Sequence, residues 1–363
     1  MKLQRKLISC WFTIASFSVL LTSSLVQANN YAEPGFILTS VKPLQFIAAD
    51  ITQGVIESQY IVPAGASPHA YSLRPSEIKR INAAKSIYWV GPQLESFLRK
   101  PFAQHRDKSF ALLAAFENKA AVTAKTPLLA ELTVEQDNNH EDHDHDAQPH
   151  ELSENLQHNG HQDEAISHEE DARDEHNHEH QLQLHIHEYQ GRDPHIWLDP
   201  KLALSIANFI KQQTTILYPQ HQALLEQNYQ RFAQQINAAD LQINAQLSNL
   251  RALGFVVFHD AYARFIEYYQ LNQVAALTIN PAKRPGAKHL ATIRQLLDET
   301  KPVCIFSEPQ FNTAAVTSVI RDFPIRVGQL DPLAIELEPQ QDRYALFLKN
   351  FAGQFVKCLG NES

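Results

Sequence analysis

The sequence predicts an α/β protein of two lobes, each with a small parallel sheet flanked by helices, joined by one long rigid helix. Three observations carry that prediction. Short apolar runs alternate with helical spacing in the stretches 36–92 and 255–332, the pattern of parallel strands linked by crossover helices. Between them a helical pattern runs from about Gln220 to Leu250 with no Gly or Pro inside, its apolar stripe formed by Leu225, Tyr229, Phe232, Ile236, Ile243, Leu247 and Leu250. At 1.5 Å per residue such a helix is roughly 45 Å long, enough to cross two lobes; a long surface helix of one domain is the alternative. Finally, 363 residues with 44% hydrophobic content supply apolar material for two cores of ordinary size.

The elements follow in order. Lys2, Arg5 and Lys6 precede an apolar run from Leu7 to Leu21 and a small-residue cleavage site at Val26-Gln27-Ala28, so residues 1–28 read as a secretory signal peptide. The run is broken by Ser and Thr and is short for a bilayer core of about 30 Å, which argues against an anchor. An N-terminal α/β lobe is expected over 29–198. In it, Phe36 to Thr39 reads as a strand, Leu44 to Ile56 as a helix, and Gly65 and Pro68 mark a loop. Pro75-Ser76-Glu77 opens a helix, and Ser86 to Val90 is a strand closed by Gly91-Pro92. Residues 199–250 are helical and include the connector: Asp199 caps a helix with Pro200 at its first position, ending near Tyr218 before Pro219. The C-terminal α/β lobe, 251–363, resumes with strands at Phe255–Phe258, Val274–Ile279, Val303–Ser307 and Ile325–Leu330, and a helix from about His289 to Glu299.

Composition narrows the function. There are 31 Lys and Arg against 40 Asp and Glu, a formal charge of -9, with no basic stripe of the kind a nucleic-acid partner requires. If Cys10 leaves with the signal, Cys304 and Cys358 remain in an oxidising compartment. An even pair there favours a disulfide, stabilising by roughly 4 kcal/mol through loop closure; two buried free thiols are the alternative.

From about 137 to 190 the periodicity collapses. Twelve of the 18 histidines fall between Asp137 and His187, interleaved with acids and amides, and too few apolar residues accompany them to offset ordering entropy. This reads as a disordered metal-attracting tract. Its His140, His143, His145, His150, His176, His178, His180, His185 and His187 are interchangeable weak ligands for a divalent transition metal. A flexible tract pays chain entropy for every ligand, so the selective site is expected elsewhere.

Three histidines outside the tract stand in restrained settings. His195 lies in DPHIWLDP between Pro194 and the apolar Ile196-Trp197, and His69 lies in the loop marked by Gly65 and Pro68. His259, with Glu308 and Asp331, stands at the end of a strand, where open α/β sheets bind ligands. His69, His195 and His259, completed by a carboxylate, suit a borderline metal such as Zn(II).

The motifs GASPHAYSLRPSE, DPHIWLDP, FHDAYARF, TINPAKRPGAKHL, CIFSEPQF and QLDPLA, in this order, resemble the metal-specific solute-binding proteins of bacterial ABC importers, and closely their zinc-uptake branch. The resemblance covers nearly the whole chain after the signal, including the His-rich loop just ahead of DPHIW. It implies two α/β lobes joined by one long helix with metal held between them. It also implies His69, His195 and His259 as imidazole ligands, Asp331 as the carboxylate ligand, and a Cys304–Cys358 disulfide. Manganese members carry a carboxylate where this chain has His259, so the nitrogen there favours zinc. Some zinc members have Glu before the first histidine, where this chain has Pro68; that departure raises the weight on Asp331, with a water as the alternative. Glu308 is expected to support a ligand from behind or to face the permease.

The expected function is therefore capture of Zn(II) in the periplasm and its delivery to an inner-membrane ABC permease with its cytoplasmic ATPase. The protein is expected to be a monomer and not an enzyme. Binding needs neutral imidazoles and should weaken as pH falls through about 6.5. The rival readings are a manganese or other divalent-metal member of the same importers, a free-standing periplasmic zinc buffer or chaperone, and a three-histidine zinc enzyme.

Overall fold

The computed structural model describes residues 35–63, 65–117, 193–278, 281, 286–311, 313–338 and 342–360. The signal peptide and the His-rich tract lie outside these residues.

The N-terminal part runs β1 (Phe36–Thr39), α1 (Lys42–Thr52), β2 (Glu57–Tyr60), α2 (Pro75–Ala83), β3 (Ser86–Trp89), α3 (Arg99–Ala103), β4 (Ser109–Ala111) and α4 (Leu112–Glu117). Two helices follow, α5 (Pro200–Leu217) and α6 (Gln222–Leu247). The C-terminal part is β5 (Gly254–His259), α7 (Ala263–Tyr269), β6 (Asn272–Thr278), α8 (Ala287–Thr300), β7 (Cys304–Ser307), α9 (Ala314–Ile320), β8 (Arg326–Gln329) and α10 (Arg343–Leu359).

The strands form two four-stranded sheets, β2-β1-β3-β4 and β6-β5-β7-β8, with every pairing parallel. In each, the first strand lies inside and the chain reverses direction across the sheet after the second. That reversal opens a crevice at the carboxyl ends of β1 and β3 in one lobe and of β5 and β7 in the other.

Alternation along the strands divides the core. Ile37 and Tyr88 face α1, while Leu38, Ile87 and Trp89 face Ile81 of α2 and Phe102 of α3. In the second sheet Phe255, Val257 and Phe306 face α10, while Val256, Phe258 and Ile305 face Ile293 and Leu297 of α8. The two inner layers merge, because one continuous cluster contains Leu44 and Ile47 of α1, Ile206 of α5, Phe232 and Ile236 of α6, and Phe347 and Phe351 of α10. The lobes therefore share a core.

Asp199 caps α5 as the sequence predicts, accepting from the N–H groups of Lys201 and Leu202 at 2.8 and 3.1 Å. α6 keeps the predicted stripe, with Leu225, Phe232, Ile236, Ile243 and Leu247 buried. Its two ends, Pro219–His221 and Ser248–Leu250, tighten into 3-10 turns. Its near-N-terminal Asn228 donates to the carbonyls of Ile51 and Gln53 at 3.0 and 2.9 Å, satisfying the end of α1. Cys304 of β7 and Cys358 of α10 are joined by a disulfide, with their Cα atoms 6.2 Å apart. No helix among the described residues is long and apolar enough to cross a membrane.

Candidate metal centre

His69 is set by the loop from β2 to α2. The chain leaves β2 still tied to the sheet, as Ile61 and Val62 N–H donate to Thr39 and Ser40 at 2.9 Å each. It turns through Gly65, whose φ of +81° lies in the left-handed region that favours glycine. His69 N–H then donates to Ser67 Oγ. The far end is held by the Glu77 carboxylate, which accepts from Tyr71 Oη at 2.6 Å and Arg74 N–H at 2.7 Å. His69 stays partly exposed, its Nε2 without a hydrogen-bond partner.

His195 enters a 3-10 turn, Ile196–Leu198, wedged between the lobes. The buried Trp197 indole donates to Pro332 O at 2.7 Å, and Trp197 O accepts from the Tyr344 hydroxyl at 2.8 Å. The His195 ring is 2% exposed. Its Nδ1 lies 2.6 Å from Asp193 Oδ1, which also accepts from His195 N–H at 2.9 Å. Burial alone would raise the Asp193 carboxyl, but the His195 ring, these hydrogen bonds and the Arg264 guanidinium together hold it below the ordinary range. An ionised carboxylate only accepts, so the proton sits on Nδ1 and the Nε2 lone pair is left for a metal.

His259 is the last residue of β5, beside Thr278 of β6, whose carbonyl accepts from Asp260 N–H at 3.0 Å. It is also 2% exposed, and neither ring nitrogen has a hydrogen-bond partner. Glu308, at the end of β7, brings Oε1 to 3.2 Å from His259 Nδ1 while Oε2 accepts from Gln310 Nε2 at 3.2 Å. Glu308 thus lies against the His259 ring.

The three rings meet. Centroids are 5.4 Å apart for His69 and His195, 4.8 Å for His69 and His259, and 5.2 Å for His195 and His259. One ligand atom from each lies within 4.8 Å of the others. Tetrahedral zinc with bonds of about 2.0–2.1 Å needs nitrogens about 3.4 Å apart, so the widest pair closes by at most about 1.4 Å on binding. Unpaired buried ring nitrogens backed by carboxylates are a cation site by chemistry. Burial first, and then the neighbouring His259 and His195 rings, push the His69 pKa down to about 2. The environment of His69 thus favours its neutral, metal-competent form.

Asp331 opens the loop after β8. Its Oδ1 accepts from Leu333 N–H at 3.1 Å and its Oδ2 from Ile335 N–H at 2.6 Å, so the carboxylate braces its own loop and lies outside the histidine cluster. Burial raises its pKa; the two backbone hydrogen bonds and Lys42 oppose that, while nearby Glu308 adds to it. The twelve tract histidines, including the nine named as ligands, lie outside the described residues. Asp193 and Arg264 carry no role in the sequence reading, although Asp193 opens the motif that holds His195; an acid two residues before a restrained histidine is the available signal.

The family described as zinc-uptake complex component A, periplasmic, matches residues 37–358. The chain is 34% identical over 341 residues to the high-affinity zinc uptake system protein ZnuA of Yersinia pestis, covering 94% of this chain and 96% of that one. It is 36% identical over 346 residues to ZnuA of Haemophilus influenzae, covering 95% and 98%. Among solved structures, a crystal structure of ZnuA superposes with a TM-score of 0.63 at 20% identity, covering 90% of this chain and 99% of that one. The periplasmic zinc binding protein TroA from Treponema pallidum does so with a TM-score of 0.63 at 16% identity, over 90% and 99%. These two likenesses bear on the fold, the relatives and the family match on descent. Two parallel sheets meeting around three histidines, with sequence kinship along nearly the whole chain, place this protein in the ZnuA family of periplasmic zinc-uptake components.

Proposed function

We propose that the protein captures Zn(II) in the periplasm and hands it to an inner-membrane ABC permease driven by a cytoplasmic ATPase. The observation that carries this reading is the meeting of His69, His195 and His259 in the cleft, with unpaired ring nitrogens on His69 and His259 and carboxylates behind His195 and His259. An all-nitrogen triad favours zinc over manganese. The fourth position falls to Asp331, whose carboxylate would have to leave part of its hydrogen bonding to Leu333 and Ile335, or to a water. The tract at 137–190 serves as an auxiliary collector.

A chelator-competition zinc titration tests this. His259→Ala is expected to abolish tight binding, and deletion of Asp137 to His187 to leave one tight site at reduced stoichiometry. Full affinity in the His259 variant, or loss of the tight site with the tract, overturns the assignment. Asp331→Asn separates the two choices for the fourth ligand, since a water-bound site keeps its affinity. Transport by permease vesicles loaded with the protein distinguishes delivery from buffering, and an esterase or hydration assay of the zinc form distinguishes both from an enzyme.

A further inference from the structure

Asp193 does more than contact His195. It is 8% exposed and touches two parts of the cleft at once. Its Oδ1 accepts from both the backbone N–H and the ring Nδ1–H of His195, at 2.9 and 2.6 Å. Its Oδ2 lies 3.4 Å from the Arg264 backbone N–H, and its carbonyl accepts from Arg264 Nε. Arg264 stands in the first turn of α7, five positions after His259 and on the same β5–α7 turn. One side chain therefore holds a ligand by its ring and, at the other end, the segment that presents a second ligand.

We propose that Asp193 is a positioning residue for the metal: it fixes His195 with Nε2 toward the other imidazoles, strengthens that nitrogen as a donor, and through Arg264 sets the spacing of His195 from His259. The inference rests on the histidine triad as the zinc site. The chemistry is that of a carboxylate hydrogen-bonded to the far nitrogen of a metal-bound imidazole, which selects one tautomer and puts electron density into the ring. A backbone brace alone would not need the 2.6 Å contact to the ring nitrogen. The Arg264 guanidinium holds the Asp193 backbone carbonyl while the Arg264 backbone N–H faces Oδ2, and together these contacts carry the constraint across to the second lobe.

The wild-type protein provides the first test. Long-range nitrogen–proton NMR of the zinc-free form, with His195 assigned by its absence in His195→Ala, is expected to show the Nδ1–H tautomer. The Nε2–H tautomer overturns the proposal. The second test uses Asp193→Asn, whose amide oxygen can still accept from the ring and the backbone, and Arg264→Gln, which leaves the carboxylate in place. Zinc dissociation, read by a chromophoric chelator, is expected to speed up roughly ten- to hundredfold in Asp193→Asn and several-fold in Arg264→Gln. The visible spectrum of the Co(II) form is expected to shift in Asp193→Asn, which a purely structural role would not cause. Variants that fold as judged by circular dichroism, with unchanged release rates and Co(II) spectra, overturn the proposal. His195→Ala separates the two levels: if it retains tight zinc, the triad reading fails; if it loses zinc while Asp193→Asn behaves as wild type, only the role of Asp193 fails.

Discussion

Buried carboxyls set the pH response of the empty fold. Glu95 is fully buried; burial pushes its pKa up to about 7, although its carboxylate accepts from Gly91 and Val90 N–H at 2.9 and 3.3 Å. Asp50 in α1, accepting from Asp342 N–H at 2.7 Å, is likewise raised to about 7 by burial. Both titrate near 4 when unfolded, so the folded state holds these protons more tightly. Their stabilising effect is complete below about pH 4 and is lost as pH rises through about 7. Glu95→Gln is expected to remove about 3 kcal/mol of that decline, read as a flatter dependence of Tm on pH between 5 and 8 in zinc-free protein. A slope equal to wild type would show that Glu95 is not the titrating group. His69 acts with the opposite sign: it is held neutral in the fold down to about 2, so the unfolded chain gains the proton first and stability falls as pH drops below about 6.5. At this scale the sequence is informative where the backbone is restrained. His69, His195 and His259 all stand beside a proline or at a strand end, and the structure brings them together. What single residues do to one another across 71 positions is not written in local pattern, which is why Asp193's reach to Arg264 emerges only from coordinates; Asp331's hydrogen bonds to Leu333 and Ile335 are local, but a loop of this kind has no period to announce them.

Among the elements, the best-read are those with strong period or strong punctuation. α5 ends one residue before the expected point, at Leu217, because Pro219 cannot continue it. β5, β7 and β8 each fall within two residues of their expected bounds. α1 starts two residues earlier than expected and stops at Thr52, because the chain must re-enter the sheet as β2. β2 itself, Glu57–Tyr60, has no apolar run to announce it; it is an edge strand, and a polar sequence suffices there. α10 is different, since Tyr344, Phe347, Leu348, Phe351, Phe355 and Leu359 do repeat at helical spacing and the reading made no use of them. The connector α6 depends on one side chain that no pattern would select. Asn228→Ala is expected to destabilise by about 2 kcal/mol by leaving the Ile51 and Gln53 carbonyls unpaired, measured by urea unfolding; a change below the scatter of surface substitutions would show that water takes its place.

For the whole molecule, the decisive fact is the shared core. Apolar residues of α1, α5, α6 and α10 form one cluster spanning both lobes, reinforced where Lys42 Nζ donates to Ile335 O at 2.9 Å and Trp197 donates to Pro332 O. Unfolding of the zinc-free protein is expected to be a single transition by tryptophan fluorescence and by circular dichroism. Two resolved transitions would mean that each lobe has a core of its own. The two-lobe plan was legible because each lobe repeats the same strand and helix alternation; that the lobes merge was not, because the buried face of a helix does not name what covers it. That merger also bears on how an ion gets in. Pulling the halves apart would wet the common interior, which backs His195 and His259, whereas His69 is the least buried of the three and stands on a loop that turns through Gly65. Passage of an ion past the His69 loop is then expected to ask less of the fold than separation of its halves.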